Sequence, residues 1–577
     1  MRTRWWLALI WGCFLARLAF YAAMLPLWEG FDEWGHFAVI RAMAVRGELL
    51  AARDSPIPRD VEASLQTAPV PWDMRHYPQP YVTEDDYWGL PAETRQQREA
   101  QFQAIPAHWS QESSTGGLTT YEAFQPPLYY WMMAPVLRLM SGRSLAEQVM
   151  ALRWLGAWIA SLAIPLIFGI GRETFRDDAM ALGCAAVAAM MPEFVIDLAR
   201  VGNECVAVVL FTLLTWIALK VARSGLSDSL AAALGLVLGL GLLAKAYFLA
   251  AVPAVALLLG YEMWRRRAGV LCALITGSEA VAIAGWWYAH NLISTGTLTG
   301  LSESLMLRGT SHASMLGRAA TVPWGTAMDS ILFSHLYFGG WSGLTVRGWM
   351  YHVFYGAMLL AAAGLFRLLR QPAARILLAI YIAFWIGLLY DAMLIYLSKG
   401  MATSGGWYLY AVVGAEVALC LAGLYSVLPA WVHRWVAFGG ALLFALLDLY
   451  TVHAVAIPYY SGMIRHKANG AMAAVHMADV RRVGVADAFE RLAAYKGAVM
   501  SAPWLAALWL AYLAGTLAIV VCAARRQTIG CFPPGRGNTK AGRPYRPSRP
   551  AGRIPAKAGV ADRCSTNRAV PLSGKSG

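Results

Sequence analysis

The chain has 577 residues, of which 58% are hydrophobic and only 14% charged, with 24 Trp. That balance excludes an ordinary soluble enzyme, and apolar runs of about 20 residues recur at the length that crosses a bilayer as helix, so the composition indicates a polytopic helical membrane protein. The formal charge of +14 is not a nucleic-acid signal, because Arg525 to Gly577 hold twelve Lys/Arg against one Asp, which leaves +3 on the other 524 residues.

Arg2 and Arg4 precede an apolar run from Trp5 to Leu27. The run is long and no small-x-small cleavage site precedes a hydrophilic mature domain, so it reads as an uncleaved first span with its basic end in the cytoplasm. Directly after it comes Phe31-Asp32-Glu33-Trp34-Gly35-His36-Phe37. Two adjacent carboxylates at the mouth of a membrane helix are costly unless they face water, a partner or a substrate. The plain alternative is a solvated helix start, where acids meet unpaired backbone N–H groups. Asp32 and His36 are four apart and share a face on a continuing helix.

Residues 28–147 form a long first external loop in this reading. Its first part, through Leu50, is expected to be an amphipathic helix lying on the membrane, with Phe37, Ile40 and Ala44 on the apolar side and Arg41, Arg46 and Glu48 polar. Arg53 to Gly117 reads as loop carrying Trp72, Tyr77, Trp88 and Trp109, and it is long enough to need a purpose. Phe124-Gln-Pro-Pro-Leu-Tyr-Tyr-Trp131 then leads into a short apolar run to Met140 that suits an interfacial or re-entrant helix. Further spans are expected at 148–171, 177–199, 203–223, 228–244, 246–262, 268–289, 349–369, 375–396, 406–427, 434–453 and 503–523, twelve with the first.

If 126–140 does not cross, the Arg/Lys clusters at 172 and 176, 220 and 223, 265–267, 367–375, 434 and 525–526 all fall on the side of Arg2 and Arg4. The expectation is therefore a transmembrane module over 1–453, an external loop over 454–502, a last span over 503–524 and a disordered basic cytoplasmic tail over 525–577, with both termini cytoplasmic. The polar segments 28–147, the Asn203-Glu204 corner, the Lys245 turn, 290–348, 397–405 and 454–502 then share the outer face. Cys13, Cys184, Cys205, Cys272, Cys420 and Cys522 lie in apolar spans and Cys531 and Cys564 in the tail, with no CxxC pair, so neither a disulfide framework nor a thiolate zinc site is supported.

In this order and on this face, the motifs resemble the GT-C superfamily of polyprenyl-phosphate-sugar-dependent glycosyltransferases, in its protein-mannosyltransferase and aminoarabinose-transferase branch. The resemblance rests on Asp32-Glu33 after the first helix, Pro126 to Tyr130 closing the loop, Asn203-Glu204 opening a span, and Gly241-Leu-Leu-Ala-Lys245. It continues through Trp287-Tyr288-Ala-His-Asn291, Ser334 to Trp341, and Trp407-Tyr408. It covers about residues 1 to 430. Many relatives have Lys or His where this chain has Gln125, and Gly-Arg-Tyr where it has Gly406-Trp407-Tyr408.

The resemblance implies an all-α, GT-C-like bundle of about twelve transmembrane helices, with membrane-lying helices on the first external loop. The implied activity is sugar transfer, with inversion, from a polyprenyl phosphate to a glycan, lipid or protein acceptor. Such transfer needs a base for the acceptor hydroxyl, a cation or N–H donors for the departing phosphate, and a groove for the lipid. Asp32 is the expected base, and Glu33 its companion, orienting it or holding a metal. Lys245, Tyr129, Tyr130, Asn203, Trp407 and Tyr408 are the expected donor and phosphate-binding set. His36, Glu204 and Asn291 are possible ligands or orienting groups.

The bland readings stand beside these. Lys245 can snorkel to headgroups, His36 can be an interfacial histidine, and Tyr129, Tyr130 and the Trp286-Trp287-Tyr288 run can form an aromatic belt. Arg17, Glu279 and Glu416 fall mid-span, where Arg17 is expected to pair with one of the acids. A divalent metal is possible and no other cofactor is implied. The expected partners are the lipid-linked sugar, membrane lipids and the acceptor, not nucleic acid, and the expected location is a bacterial inner membrane with a periplasmic site. A secondary transporter and a non-catalytic binder of lipid-linked glycan remain as alternatives, although no internal repeat supports the first.

Overall fold

A computed structural model describes residues 2–106, 116–266 and 269–526. The basic tail from 527 onward, with Cys531 and Cys564, lies outside the described residues, as do Trp109 and Arg267. Among the described residues the structure is all helical apart from three isolated β-bridges. Ten helices are long and apolar enough to cross a membrane, or eleven when one bent pair counts as a span.

The membrane helices are α1 (Arg2–Met24), α4 (Leu145–Phe175), α5 (the bent pair Asp178–Met190 and Pro192–Leu198), α6 (Glu204–Ser224), α7 (Asp228–Ala244), α8 (Ala246–Arg265), α9 (Val270–Thr295), α10 (Gly348–Leu368), α11 (Pro372–Lys399), α12 (Gly406–Val427), α13 (Val436–Tyr460) and α14 (Ala502–Arg526), with α2 (Glu33–Arg46) and α3 (Leu128–Leu139) between the first two. Each predicted span coincides with a helix. The count of twelve is reached only with α7, whose 17 residues make it shorter than the rest. The 12-residue α3 is too short to cross, at a rise of 1.5 Å per residue.

Two differences from the sequence reading have clear physical causes. The single span expected over 177–199 is broken, its halves meeting at 68°. Pro192 lacks an N–H and pushes Met191 into extended backbone, then serves as the first residue of the second half. The polar side of α2 is not solvated. Arg41 is buried, donating to Asp60 Oδ2 at 2.5 Å and Gln148 Oε1 at 3.0 Å, because the following loop folds over the helix. That loop carries helices of its own at Arg59–Thr67, Glu84–Tyr87 and Ala92–Gln103.

The expected pairing of Arg17 with Glu279 or Glu416 is also replaced. Arg17 donates to Asp448 Oδ2 at 2.8 Å and to Thr516 Oγ1 at 2.7 Å, since α1 packs against α14 and α14 packs against α13. Tyr21 and Tyr512 donate their hydroxyls to the same carboxylate at 2.5 and 2.6 Å. Glu416 instead meets His335 Nε2 at 2.9 Å, and Glu279 stands half-buried beside Gly235. No disulfide joins the described cysteines.

Candidate active site

The site is built on the turn that follows α1. Three backbone carbonyls at its end, Ala22, Leu25 and Pro26, accept from Arg153 at 3.0, 2.8 and 2.6 Å. Lys496, fully enclosed, donates to Ala23 O at 2.6 Å and Met24 O at 3.0 Å. Both side chains thus donate to the orphan carbonyls at the end of α1. The chain then reverses through Trp28 and Asp32, whose φ values of 70° and 54° are left-handed. Asp tolerates that region better than most residues.

The two acids of the pair have different surroundings. Glu33 is fully buried and all its capacity is spent: Arg153 grips it at 2.7 and 2.6 Å, and the amides of Val201 and Trp28 donate at 2.9 and 3.1 Å. Asp32 stands at the N-cap position of α2 but its side chain caps nothing there. It accepts instead from Tyr121 Oη at 2.7 Å and keeps part of its surface open. Burial pushes its carboxyl above the ordinary 3.8, against the Tyr121 hydrogen bond and the fields of Arg200 and Lys245.

Arg200 ties this turn to the start of α6. It donates to Phe31 O at 2.5 Å and Asp197 Oδ1 at 2.8 Å, and stands 2.9 Å from Glu204 Oε2. Glycine is needed on both sides of it. A Cβ on Gly30 would fall 2.5 Å from Arg200 Cβ, and one on Gly202 would fall 2.4 Å from Nη1. Glu204 also pairs with Lys245, and Asn203 Nδ2 donates to Ala244 O at 3.4 Å. The Asn203-Glu204 corner therefore clasps the Lys245 turn from both sides. Burial beside Arg200 pulls Lys245 down from 10.5 to about 7.

A second layer surrounds Asp32. His36 Nδ1 lies 2.9 Å from Tyr130 Oη, which donates to Glu122 O at 3.2 Å, so the network assigns the Nδ1 proton to His36. Burial holds His36 well below 6.5, with Arg200 and Lys245 adding to it, while burial and Asp32 push Glu122 up to about 8. Tyr129 and Tyr130 are 0% and 1% exposed, so they are core residues and not a membrane-surface belt. Of the 286–288 run, Trp286 is exposed whereas Trp287 and Tyr288 are buried. Asn291 faces its own loop, donating to Thr299 O at 3.1 Å and accepting from Arg53.

The Ser334–Trp341 stretch and Trp407 converge on Phe31. Trp407 stacks on the Phe31 ring at 3.8 Å, and Trp341 meets it edge-on at 5.3 Å. Two buried acids fasten the stretch. Glu193, delivered by the broken α5, accepts from the amides of Phe338 and Gly339 at 2.9 and 2.8 Å. Glu29 accepts from the amide and hydroxyl of Ser342 at 2.7 and 2.8 Å.

Beside this cluster lies a cavity of about 520 Å³. Its lining includes Lys245, Tyr247, Tyr408 and Asp391 together with the apolar Ala250, Phe384 and Leu388. The Lys245 ammonium stands 4.9 Å from the centre of the Tyr408 ring. Gln125, one of the two atypical positions, also lines it. A cation and hydroxyls in the lining of a largely apolar cavity suit a lipid with an anionic head. No three His, Cys, Asp or Glu side chains among the described residues are grouped to hold a metal. Asp32, Glu33 and His36 do not form such a set, because Arg153 occupies both oxygens of Glu33.

Arg153, Arg200, Tyr121, Glu122, Asp197 and Lys496 were not singled out by the sequence reading. Arg153 and Asp197 carried a usable signal, being charges within apolar spans. Tyr121 and Glu122 had none, since they stand in a polar loop.

Residues 124–287 match the family of dolichyl-phosphate-mannose-protein mannosyltransferases. The matched segment holds the Pro-Pro-Leu-Tyr-Tyr element, the Asn203-Glu204 corner and Lys245, and is less than half of the chain. Among solved structures, ArnT from Cupriavidus metallidurans bound to undecaprenyl phosphate is 14% identical, with 91% of this chain and 78% of that one covered and a TM-score of 0.46. Its apo state is 13% identical over 92% and 78%, at 0.43. The apo oligosaccharyltransferase of Archaeoglobus fulgidus is 13% identical over 92% and 57%, at 0.36. No curated protein matches this chain. The family match and the resemblance read from the motifs point to one class, membrane glycosyltransferases that use polyprenyl-phosphate sugars.

Proposed function

We propose that this chain is a membrane glycosyltransferase that moves a sugar from a polyprenyl-phosphate donor to the hydroxyl of a glycan, lipid or protein acceptor. The observation that carries this reading is the contrast within one cluster. Asp32 alone of the Asp32–Glu33 pair is part-open, and it shares its electrostatic surroundings with Lys245, which opens onto the apolar-lined cavity. The cavity takes the donor, with its phosphate toward Lys245 and Tyr408 and its lipid along Phe384 and Leu388.

Asp32 accepts the proton of the acceptor hydroxyl as that oxygen attacks the anomeric carbon. The bond from that carbon to the phosphate oxygen breaks, and its electron pair leaves on the lipid phosphate, which needs no proton. One displacement inverts the anomeric configuration, as in a one-step glycosidase. Tyr121 steadies the base. Glu33, held by Arg153, fixes the turn that presents it. Trp407, stacked on Phe31, ties the 334–341 stretch to the same turn. In this reading both termini are cytoplasmic, the site faces the periplasm, and the membrane is a bacterial inner membrane.

The test is turnover in reconstituted membranes with a panel of polyprenyl-phosphate sugars, comparing wild type with Asp32→Asn. Transfer from at least one donor by wild type and its loss in the variant is the expected result. Absence of transfer from every donor would overturn the reading.

A further inference from the structure

We propose that a cleft between α6, α8 and α11, at the membrane face opposite Asp32, binds an anionic diacyl phospholipid, with its phosphate between Arg265 and Arg375 and one acyl chain in the cleft. The inference goes beyond the glycosyltransferase reading and uses no part of it.

The cleft has a volume of about 200 Å³. Small side chains create it: Ala218 and Ala222, one turn apart on α6, line it with Ala254 of α8 and Ala379 of α11. Leu214 and Ile380 extend the apolar wall. Well-packed helices leave few gaps of this size. Its rim opens to the bilayer past Leu257, 69% exposed, and Tyr261, 41% exposed. An apolar gap of this kind stays dry and takes hydrocarbon in place of water.

One end of the cleft is charged. Arg265 ends α8, Arg375 lies in the first turn of α11, and both are exposed and line the cleft. Arg223, at the end of α6, is taken by Glu173 at 2.6 Å. Arg265 has Glu262 at 4.0 Å, the outer limit of an ion pair, and Arg375 pairs with no acid among the described residues. Two guanidiniums thus meet at one mouth with a surplus of positive charge, and their planar forks match a phosphate. Basic pockets between membrane helices select anionic headgroups in this way, whereas a zwitterionic lipid brings its own ammonium. The position rules out the sugar donor as occupant. The 20 residues from Ala246 to Arg265 put Arg265 about 30 Å from the Lys245 turn, the thickness of the hydrocarbon core. A headgroup there is out of reach of Asp32, so the occupant is a bilayer lipid of the opposite leaflet.

The test is native mass spectrometry of the full chain in detergent, counting bound lipid as phosphatidylglycerol, phosphatidylcholine or polyprenyl phosphate is added. Wild type should hold one phosphatidylglycerol about 30-fold more tightly than phosphatidylcholine, the worth of two arginine contacts. Arg265→Gln combined with Arg375→Gln should abolish that preference, and both side chains are exposed, so the fold tolerates the change. Ala379→Trp, on the exposed lip of the cleft, keeps both charges but blocks the acyl chain. It should weaken both phospholipids by at least about tenfold, the worth of two buried methylenes. Arg434→Gln removes an exposed charge from the same face outside the cleft and should leave the tight binding event unchanged. Four results would each overturn the proposal and leave the glycosyltransferase reading untouched. They are no wild-type preference for phosphatidylglycerol, an equal loss in Arg434→Gln, undiminished binding in Ala379→Trp, and displacement of the bound phosphatidylglycerol by polyprenyl phosphate.

Discussion

Asp32 occupies the N-cap of α2, yet its carboxylate turns away from the helix amides and accepts from Tyr121 Oη at 2.7 Å. An Asp at an N-cap ordinarily accepts from the second or third amide of its helix, a contact that stabilises by about 1 kcal/mol. Forgoing that contact while holding a left-handed φ of 54° is a local cost with no structural return at the helix start. The acid pair is therefore not a solvated helix beginning, the plain reading its position invited. Glu33 serves structure, and Asp32 is left with a free face.

Lys245 should make donor affinity depend on pH. A lysine is charged below its pKa, and burial beside Arg200 brings Lys245 from 10.5 to about 7. Its charge is then present below pH 7 and lost as pH rises through 7. A polyprenyl-phosphate hexose is a diester with constant charge over this range. Its affinity should fall about tenfold between pH 6 and pH 8, following the charged fraction of the lysine. Lys245→Arg should flatten that dependence and Lys245→Met should bind weakly at both pH values. A wild-type affinity identical at pH 6 and 8 would remove Lys245 from the phosphate site.

Glu33 and Arg153 should behave as a brace. Both are fully enclosed, and removing one partner of such a pair leaves an uncompensated charge, at a cost of about 3–5 kcal/mol. Glu33→Gln should lower the thermal unfolding midpoint in detergent and reduce activity in proportion to the folded fraction. Intact stability in Glu33→Gln, with turnover abolished, would move Glu33 into the chemistry.

The topology is tested by cysteine labelling at two exposed positions. With α3 short of crossing, Gln101 lies on the face of Asp32, and Ser224, at the end of α6, lies opposite it. A membrane-impermeant thiol reagent should reach Gln101→Cys from outside and Ser224→Cys only after permeabilisation. Matching access at both positions would contradict the arrangement.

The spans were legible because all but the 17-residue α7 are apolar runs about as long as the bilayer demands, and short length together with the Arg/Lys parity separated α3 from them. Asp32, Lys245, the Asn203-Glu204 corner and Trp407 were legible as polar or aromatic interruptions at span ends on one face. What the sequence hid is pairing across long separations. Arg17 finds Asp448, 431 residues away, and Arg153 finds Glu33, 120 residues away. Nothing in local spacing encodes such partners, because helix order around the bundle decides them. Hydropathy also could not show the 68° break at Pro192, since the two halves taken together still read as one apolar run. Arg41 misled for a related reason: its charge implied a solvated face, but Asp60 and Gln148 reach it from other elements.

Asp32→Asn should separate chemistry from structure. The substitution keeps the size of the side chain and an oxygen that accepts from Tyr121, so α2 and the Phe31 contacts stay in place. It removes the basicity that the acceptor hydroxyl requires. General-base assistance contributes roughly 10²–10⁴-fold, so turnover should fall by at least about 10² while donor affinity and the unfolding midpoint stay near wild type. The pH profile supplies a second readout. A base must be ionised to act, and burial raises Asp32 above 3.8, so turnover should climb with pH along an acid limb displaced upward from that of a free aspartate. Tyr121→Phe removes the hydrogen bond that favours the ionised form, and should shift the same limb to higher pH while lowering the plateau only modestly. A Tyr121→Phe profile superposable on wild type would mean that this limb belongs to another group. Full turnover in Asp32→Asn would return the acidic pair to a purely architectural role.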